Sequence, residues 1–123
     1  MTIGTPVEER NFPILAAYSK TVADIEYVLV TIAGGASQAL KAAAAGTRGV
    51  LLLGYLVTGS ANTTLIIEDS DGANLSGTID VPALGGHRDD KPWGITKTPA
   101  TKGLTFTAGA GGNLNGTAQI VVL

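Results

Sequence analysis

From residue 50 to the C-terminus, short apolar runs alternate with clusters of turn residues. The runs are rich in Val, Ile, Leu and Thr and cover residues 50–58, 63–68, 75–81, 92–97, 104–108 and 115–123. Gly, Asn, Asp or Pro stands in each break between them. Short strands at regular spacing with such turns are typical of a β-sandwich or barrel.

Two more strands are predicted before residue 50. Residues 25–32 partly alternate apolar and polar side chains, as a strand does. Residues 38–45 favour a strand ending in a loose Ala-Gly turn, although their alanines leave a single helical turn open. Eight antiparallel strands in two sheets is the jelly-roll number. We therefore predict an all-β chain whose residues 21–123 form an eight-stranded antiparallel jelly-roll β-sandwich.

The run 50–57 is apolar at nearly every position, so both of its faces need cover. One face would lie on the core and the other under an N-terminal arm or another subunit. Gly54 within the run predicts a bulge or a close approach of another backbone.

Residues 1–20 are predicted to form an extended N-terminal arm. Pro6 and Pro13 hold the residues before them extended. The arm also carries large apolar side chains at Phe12, Ile14, Leu15 and Tyr18. Two interpretations stay open: the arm packs on its own domain, or it lies on a neighbouring subunit.

Composition favours an oligomer. The chain has 123 residues, of which 45% are hydrophobic but only 15% are charged, against about a quarter in an average protein. A monomer surface normally carries more charge, so part of this surface is expected to be covered by other subunits.

Several classes of partner and compartment are disfavoured. The formal net charge is −2 without a basic cluster, which argues against nucleic-acid binding. The apolar runs are too short to cross a bilayer, so no membrane contact is expected. The N-terminus does not resemble a signal peptide, which predicts synthesis in the cytoplasm without standard export. There is no cysteine, and hence neither a disulfide nor a thiolate ligand.

No motif indicates catalysis, a cofactor or a metal. The acidic stretch 69–74 lacks the distal Glu of a calcium loop and predicts a hairpin turn. His87 with Asp89 and Asp90 is a weak metal or acid–base signal, because the chain has no other histidine. The glycines at 109–112 lie between two strands, which excludes a dinucleotide-binding turn. We therefore predict a protein that is not an enzyme.

The order of these motifs resembles a known family. A buried strand at 49–54 is followed by the motifs at 62–69, 76–80 and 102–106, a Gly-rich hairpin and a Val-rich final strand. Residues 46–123 thus resemble the small jelly-roll decoration, or cement, proteins of tailed-phage capsids. The resemblance implies a virion protein on the capsid exterior, a homotrimer, and the major capsid protein as partner.

Two regions are candidate contacts with the capsid or with other subunits. The first comprises arm residues Phe12, Ile14, Leu15 and Tyr18, because aliphatic and aromatic anchors dominate such contacts. The second is the polar loop 82–92 with the tryptophan after it; its candidates are His87, Arg88, Asp89, Asp90 and Trp93. Trp93 in the core is an open alternative.

A second function class also remains. Tail-fibre and lectin-like modules bind receptors or glycans through exposed aromatic and Asp or Asn side chains in loops. In this chain Trp93, Asp89 and Asp90 would serve that purpose.

Overall fold

The computed structural model of this chain describes residues 13–123, and strands dominate its regular structure. Its two short helices are α1 (Ile14–Ala17) and a 3-10 turn (Val22–Asp24). Its strands are β1 (Glu26–Ile32), β2 (Ser37–Lys41), β3 (Val50–Gly59), β4 (Thr63–Asp69), β5 (Ile79–Val81), β6 (His87–Asp90), β7 (Thr96–Lys97), β8 (Leu104–Ala108) and β9 (Leu114–Val122). The prediction of an all-β chain is confirmed for these residues.

The strands form two antiparallel sheets. Sheet I has the order β1-β9-β3-β6, with the short β7 also paired to β3, and sheet II has the order β2-β8-β4-β5. The pairs are nested along the chain: β1 with β9, β2 with β8, β3 with β6, and β4 with β5. The predicted antiparallel β-sandwich is confirmed, although it has nine strands and not eight.

One hydrophobic core fills the space between the sheets. Phe106 on β8 and Leu65 on β4 come from sheet II, and Leu52 and Ile120 come from sheet I. Buried and half-buried positions alternate strictly along β4 and β8. This alternation is what period-two strands with one face on a core require, and it explains why both were predictable.

A second apolar cluster covers part of the outer face of sheet I. Its buried members come from the segment 14–25, from β3 and from the end of the chain: Leu15, Ile25, Leu51, Leu53, Val121 and Leu123. Ile14, Tyr18 and Val22 pack against them. The prediction that β3 needs cover on both faces is confirmed, and on this half of the face the cover is the chain's own N-terminal segment.

The arm is not extended throughout. Ile14–Ala17 forms a helical turn, because this turn brings Ile14, Leu15 and Tyr18 onto the apolar outer face of sheet I. The prediction of an extended arm is therefore wrong for these residues. Residues 1–12 of the arm, including Phe12, lie outside the described residues.

Two predicted strands are shorter than expected. In the run 92–97 only Thr96–Lys97 is strand, because Lys91–Gly94 forms a turn in which Gly94 has a φ of 83°. In the run 75–81 only Ile79–Val81 is strand. The Ser76 hydroxyl accepts the Ile67 N–H at 2.9 Å and so interrupts the ladder.

Other local predictions hold. Ser37–Lys41 is a strand, so the helical alternative for this region is wrong. The β3–β9 register shifts between Leu52 and Gly54, as expected for a bulge. A Cβ at Gly54 would stand 2.9 Å from the Asp90 Cβ, so the predicted close approach is also confirmed.

Candidate interaction surface

The described arm residues belong to the chain's own domain. The Leu15 side chain is 1% exposed within the second cluster. The Ile14 N–H donates to the Pro92 carbonyl at 3.4 Å. Tyr18 lies under Arg48, whose guanidinium carbon is 5.3 Å from the ring centre and whose Nη2 donates to the Tyr18 carbonyl at 3.4 Å. In this monomer the three side chains fasten the segment to sheet I.

The predicted loop 82–92 contains an edge strand, β6, and the prediction of a loop is wrong for His87–Asp90. Asp89 pairs with Tyr55, and His87 pairs with Val57, on the neighbouring β3. A polar run can form a strand at this place because an edge strand has one side in water.

His87 belongs to an aromatic cluster at the rim of the core. Its Nδ1 lies 3.0 Å from the Tyr55 hydroxyl, and the two rings stack with centres 5.5 Å apart. Burial, reinforced by the nearby Asp89 carboxylate, raises the pKa of Tyr55 to about 12. The histidine therefore has a structural partner. Residues 13–123 contain no group of three or more side chains that could hold a metal ion.

The charged side chains of this edge are paired locally. Arg88 contacts Asp90 at 3.4 Å, and Lys91 contacts Asp89 at 2.8 Å. Exposed pairs of this kind stabilise a fold by less than about 1 kcal/mol. Their larger effect is to make the strand a poor template for another strand.

Trp93 is exposed. Its side chain is 68% accessible, so the alternative that placed it in the core is wrong. It follows Pro92, whose carbonyl binds Ile14. The structure thus brings the two candidate regions together at one edge of sheet I, where the described chain begins.

An apolar surface on the outer face of sheet I was not predicted from the sequence. It comprises Tyr27, Leu29 and Leu56, which are 66%, 70% and 46% exposed, and we call it the outer patch. Leu29 and Leu56 both lie opposite Thr117, on either side of β9. The segment 14–25 covers the other half of this face and leaves the outer patch bare. The sequence feature that could have indicated this surface is the set of apolar residues at alternate positions of β1.

A groove adjoins the outer patch. It has a volume of about 280 Å³ and is lined by β3, β6 and β9 at Gly54, Tyr55, Leu56, Arg88, Asp89, Asp90, Thr117 and Gln119. Gly54 lies directly between Asp90 and Gln119 in the strand register. Since Gly54 has no side chain, the outer face is recessed at this point.

The β1 edge of sheet I is partly protected against strand addition. Gln38 on β2 accepts the Thr31 N–H at 2.8 Å and donates to the Leu29 carbonyl at 2.9 Å. Lys41, also on β2, contacts Glu26 at 3.0 Å. Two backbone groups that an incoming strand would bind are thus occupied, which favours contact through the faces of the sandwich.

A second groove, of about 680 Å³, lies at one end of sheet II. Its lining residues are Asn62, Thr63, Thr64, Asp80, Val81, Pro82, Gly109, Ala110 and Gly111. Thr64 and Asp80 are directly opposite in the β4–β5 register. Among residues 13–123, no histidine, lysine or arginine lines this groove, so the described lining offers neither an imidazole base nor a cation for an oxyanion.

The acidic turn after β4 is structural. The Asp69 carboxylate accepts the backbone N–H groups of Asp71 and Ala73 at 2.8 and 3.0 Å. Gly72 has a φ of 85°. The predicted hairpin turn, with Asp bonded to the local backbone and Gly at positive φ, is confirmed.

The described surface carries an exposed apolar patch, an exposed tryptophan and a partly protected sheet edge. Within residues 13–123 no helix has the length and apolar character needed to cross a bilayer. Comparison of the chain with protein-family models, curated proteins and solved structures gives no match.

Proposed function

We propose that this chain is a non-enzymatic structural protein that decorates the outer surface of a phage capsid as an oligomer, a trimer by resemblance, and stabilises contacts between capsomers. The observation that carries the proposal is the outer patch. Tyr27, Leu29 and Leu56 stand bare on a chain in which only 15% of residues are charged. Apolar surface of this kind marks interaction sites.

The proposed fold is a jelly roll. The strand pairs are nested: the first strand pairs with the last, the second with the next to last, and so on inward. A long antiparallel hairpin that is rolled into two sheets has this pairing. If the two-residue β7 is left out, eight strands remain, four in each sheet. Eight strands in two sheets agree with this architecture.

Different surfaces are assigned to the two kinds of partner. The outer patch and the arm contact other subunits. Trp93 contacts the major capsid protein, because an exposed aromatic residue is the preferred anchor of an interface. Arg88 and Asp90 lie at the rim of this interface. Leu15 is buried in its own domain, so Ile14, Leu15 and Tyr18 act by fixing the base of the arm.

Stabilisation of a shell needs only moderate contacts. A standard interface buries about 800 Å² on each partner. An oligomer that binds several capsid subunits at once gains avidity, because each further contact forms at high effective concentration. A small domain with a few exposed anchors is sufficient for this role.

Co-sedimentation tests the proposal. The protein is mixed with expanded capsids made from the major capsid protein of the same genome, and its native mass is measured separately. We expect an oligomer that co-sediments, with binding reduced by Trp93→Ala and unchanged by Leu84→Ala, which removes another exposed apolar side chain. A monomer that leaves the capsids bare would overturn the proposal.

A glycan-binding role is the second candidate. The exposure of Trp93 favours it, because such sites stack sugars on open aromatic rings. The ion pairs of Asp89 with Lys91 and of Asp90 with Arg88 weigh against it, since they occupy the carboxylates. Two results together would favour this candidate: the protein binds a glycan saturably on an array and loses this binding on Trp93→Ala, and it does not bind capsids.

A further inference from the structure

Strand β5 forms an edge of sheet II, and its far side has no neighbouring strand within residues 13–123. The Gly109 N–H donates to the Thr64 carbonyl at 2.9 Å, so the backbone groups of Thr64 are directed at β8 and not at β5. Asp80 lies opposite Thr64 and therefore belongs to a pair that exchanges no backbone hydrogen bond. The N–H and C=O of Asp80 consequently point away from β4, where an added strand could bind them.

This edge lacks the protection that the edges of sheet I have. At the β1 edge Gln38 occupies two backbone groups. At the β6 edge Arg88 and Lys91 form ion pairs along the strand. On β5 the exposed Asp80 carboxylate has no ion pair with any other described residue. Of these three edges, β5 is thus the one that offers free backbone groups without a local charge pair.

The charge of this edge favours a basic partner. Lys41 on β2 pairs with Glu26, and Lys102 pairs with Asp71, so neither balances Asp80. On an added strand, the residue directly opposite Asp80 has its side chain on the same face of the sheet. A lysine or arginine at that position would be attracted to the carboxylate, whereas an acidic residue would be repelled.

The groove of about 680 Å³ adjoins the same edge. Val81, Pro82 and Ala110 supply apolar surface to its lining. The Asn62 side chain accepts the Ala83 N–H at 2.9 Å, which holds the chain after β5 against the start of β4. On an antiparallel added strand, the residue two positions before the basic one lies opposite Pro82 and on the same face. An apolar side chain at that position fits the groove.

We propose that β5 and this groove bind an extended segment of a partner protein by strand addition. The segment carries lysine or arginine opposite Asp80 and an apolar residue two positions earlier, opposite Pro82. Hydrogen bonds to the Asp80 N–H and C=O hold its main chain, and the two side chains give selectivity. This binding site goes beyond the proposed capsid role and does not depend on it.

Amide hydrogen exchange of the whole chain tests whether the edge is free. We expect the Asp80 N–H to exchange at least about 10-fold faster than the N–H groups of Ile79 and Val81, which are directed at β4. An Asp80 N–H as slow as these two would overturn the proposal, because it would show that the edge is already covered.

A peptide titration tests the binding itself. The acetylated and amidated peptide Thr-Val-Thr-Lys-Thr-Thr is added to isotope-labelled protein and followed by NMR. We expect saturable shifts of the Asp80, Val81 and Ala110 amides at millimolar peptide. Replacement of the lysine by norleucine should weaken binding about threefold, because the cross-strand ion pair is lost. No shift at these three amides, or equal affinity of the two peptides, would overturn the proposal.

Backbone methylation of the peptide separates strand addition from simple charge attraction. A methyl group on the backbone nitrogen of the lysine removes the donor for the Asp80 carbonyl and should weaken binding at least about 10-fold. The matched control carries the methyl group on the threonine before the lysine, whose N–H points away from β5. This control should bind like the unmodified peptide, and equal affinity of the two methylated peptides would refute strand addition.

A pair of protein variants tests the role of the carboxylate. Asp80→Asn should weaken binding of the lysine peptide about threefold and leave binding of the norleucine peptide unchanged. Asp90→Asn, at an exposed carboxylate on β6, should change neither. Equal effects of the two substitutions would refute selection by Asp80. Capsid co-sedimentation of Asp80→Asn is measured separately, so failure of this site and failure of the capsid role are distinguishable.

Discussion

The side-chain amide of Gln38 binds the backbone of Thr31 across the gap between the two sheets, with its Oε1 accepting the Thr31 N–H at 2.8 Å. Its Nε2 donates to the Leu29 carbonyl at 2.9 Å. One side chain of sheet II thus takes the place of a missing neighbour strand beside β1. The arrangement connects the edges of the two sheets and protects a backbone that would otherwise bind another chain.

Removal of this amide should weaken the fold and promote association. We expect Gln38→Ala to lower the free energy of unfolding by about 1 kcal/mol, because two exposed hydrogen bonds are lost. It should also increase thioflavin-positive aggregation. Gln38→Glu still accepts from Thr31 but cannot donate to Leu29. Its free energy of unfolding and its aggregation should therefore lie between those of the parent protein and Gln38→Ala. If Gln38→Ala and the parent protein unfold at the same urea concentration and aggregate equally, the Gln38 amide does not protect the β1 edge.

Leu15 should be far more important for stability than its place in a short terminal segment suggests. Leu15→Ala removes a side chain that is buried against β3 and β9, and should cost about 3 kcal/mol. The matched change Leu84→Ala affects a side chain that is 90% exposed and should alter stability by less than about 0.5 kcal/mol. Equal midpoints in thermal melts of the two variants would show that the segment does not cover sheet I in solution.

Gly116 in the middle of β9 should not tolerate a side chain. A Cβ at this position would overlap the Leu56 carbonyl and contact the Val57 Cα at 2.9 Å, both on β3. Gly116→Ala should therefore cost about 3 kcal/mol or prevent folding. Gly77→Ala serves as the control, because a Cβ there meets nothing within 4 Å. Circular dichroism and chemical denaturation of both variants measure the difference, and a stable Gly116→Ala protein would be incompatible with this register.

Stability should fall at high pH through Tyr55. Its pKa is raised from 10.0 to about 12 in the fold, so its neutral form is favoured by folding. The resulting stabilisation is complete below pH 10 and is lost as the pH rises through 12. The loss should be on the order of 2 kcal/mol. Tyr55→Phe should lack this part of the pH dependence.

Lys102 provides an internal reference for that titration. Its hydrogen bond and charge interaction with Asp71 raise its pKa above 10.5, and it is present in both proteins. The difference between the parent and Tyr55→Phe stability curves therefore isolates the tyrosine. Parallel curves from pH 9 to pH 12 would mean that the Tyr55 hydroxyl is not desolvated.

The strands predicted best from sequence are those with one face in the core. β4 and β8 alternate strictly, and the apolar run of β3 indicated cover on both sides. By contrast, β6 consists of His, Arg, Asp and Asp and carries no apolar period. It is a strand because it pairs with the edge of β3 over residues 54–57, and such a tertiary cause is not visible in local sequence.

The candidate surface was predicted only in part. The apolar arm and Trp93 were visible as unusual residues, and the structure adds that they meet at Pro92. The outer patch was missed because alternation in β1 separates Tyr27 and Leu29 from Val28 and Val30 without indicating which set is buried. That choice depends on β9, nearly ninety residues further along the chain, which fixes the register.

The charged pairs along β6 have a consequence for crowding. Molecules packed side by side at high local density meet each other's sheet edges far more often than molecules free in solution. On this strand an approaching backbone would have to disturb Arg88–Asp90 and Lys91–Asp89 before it could form a ladder. The charged pairs therefore disfavour strand pairing between neighbouring molecules at this edge. Many copies can be packed densely without growing into fibrils through β6.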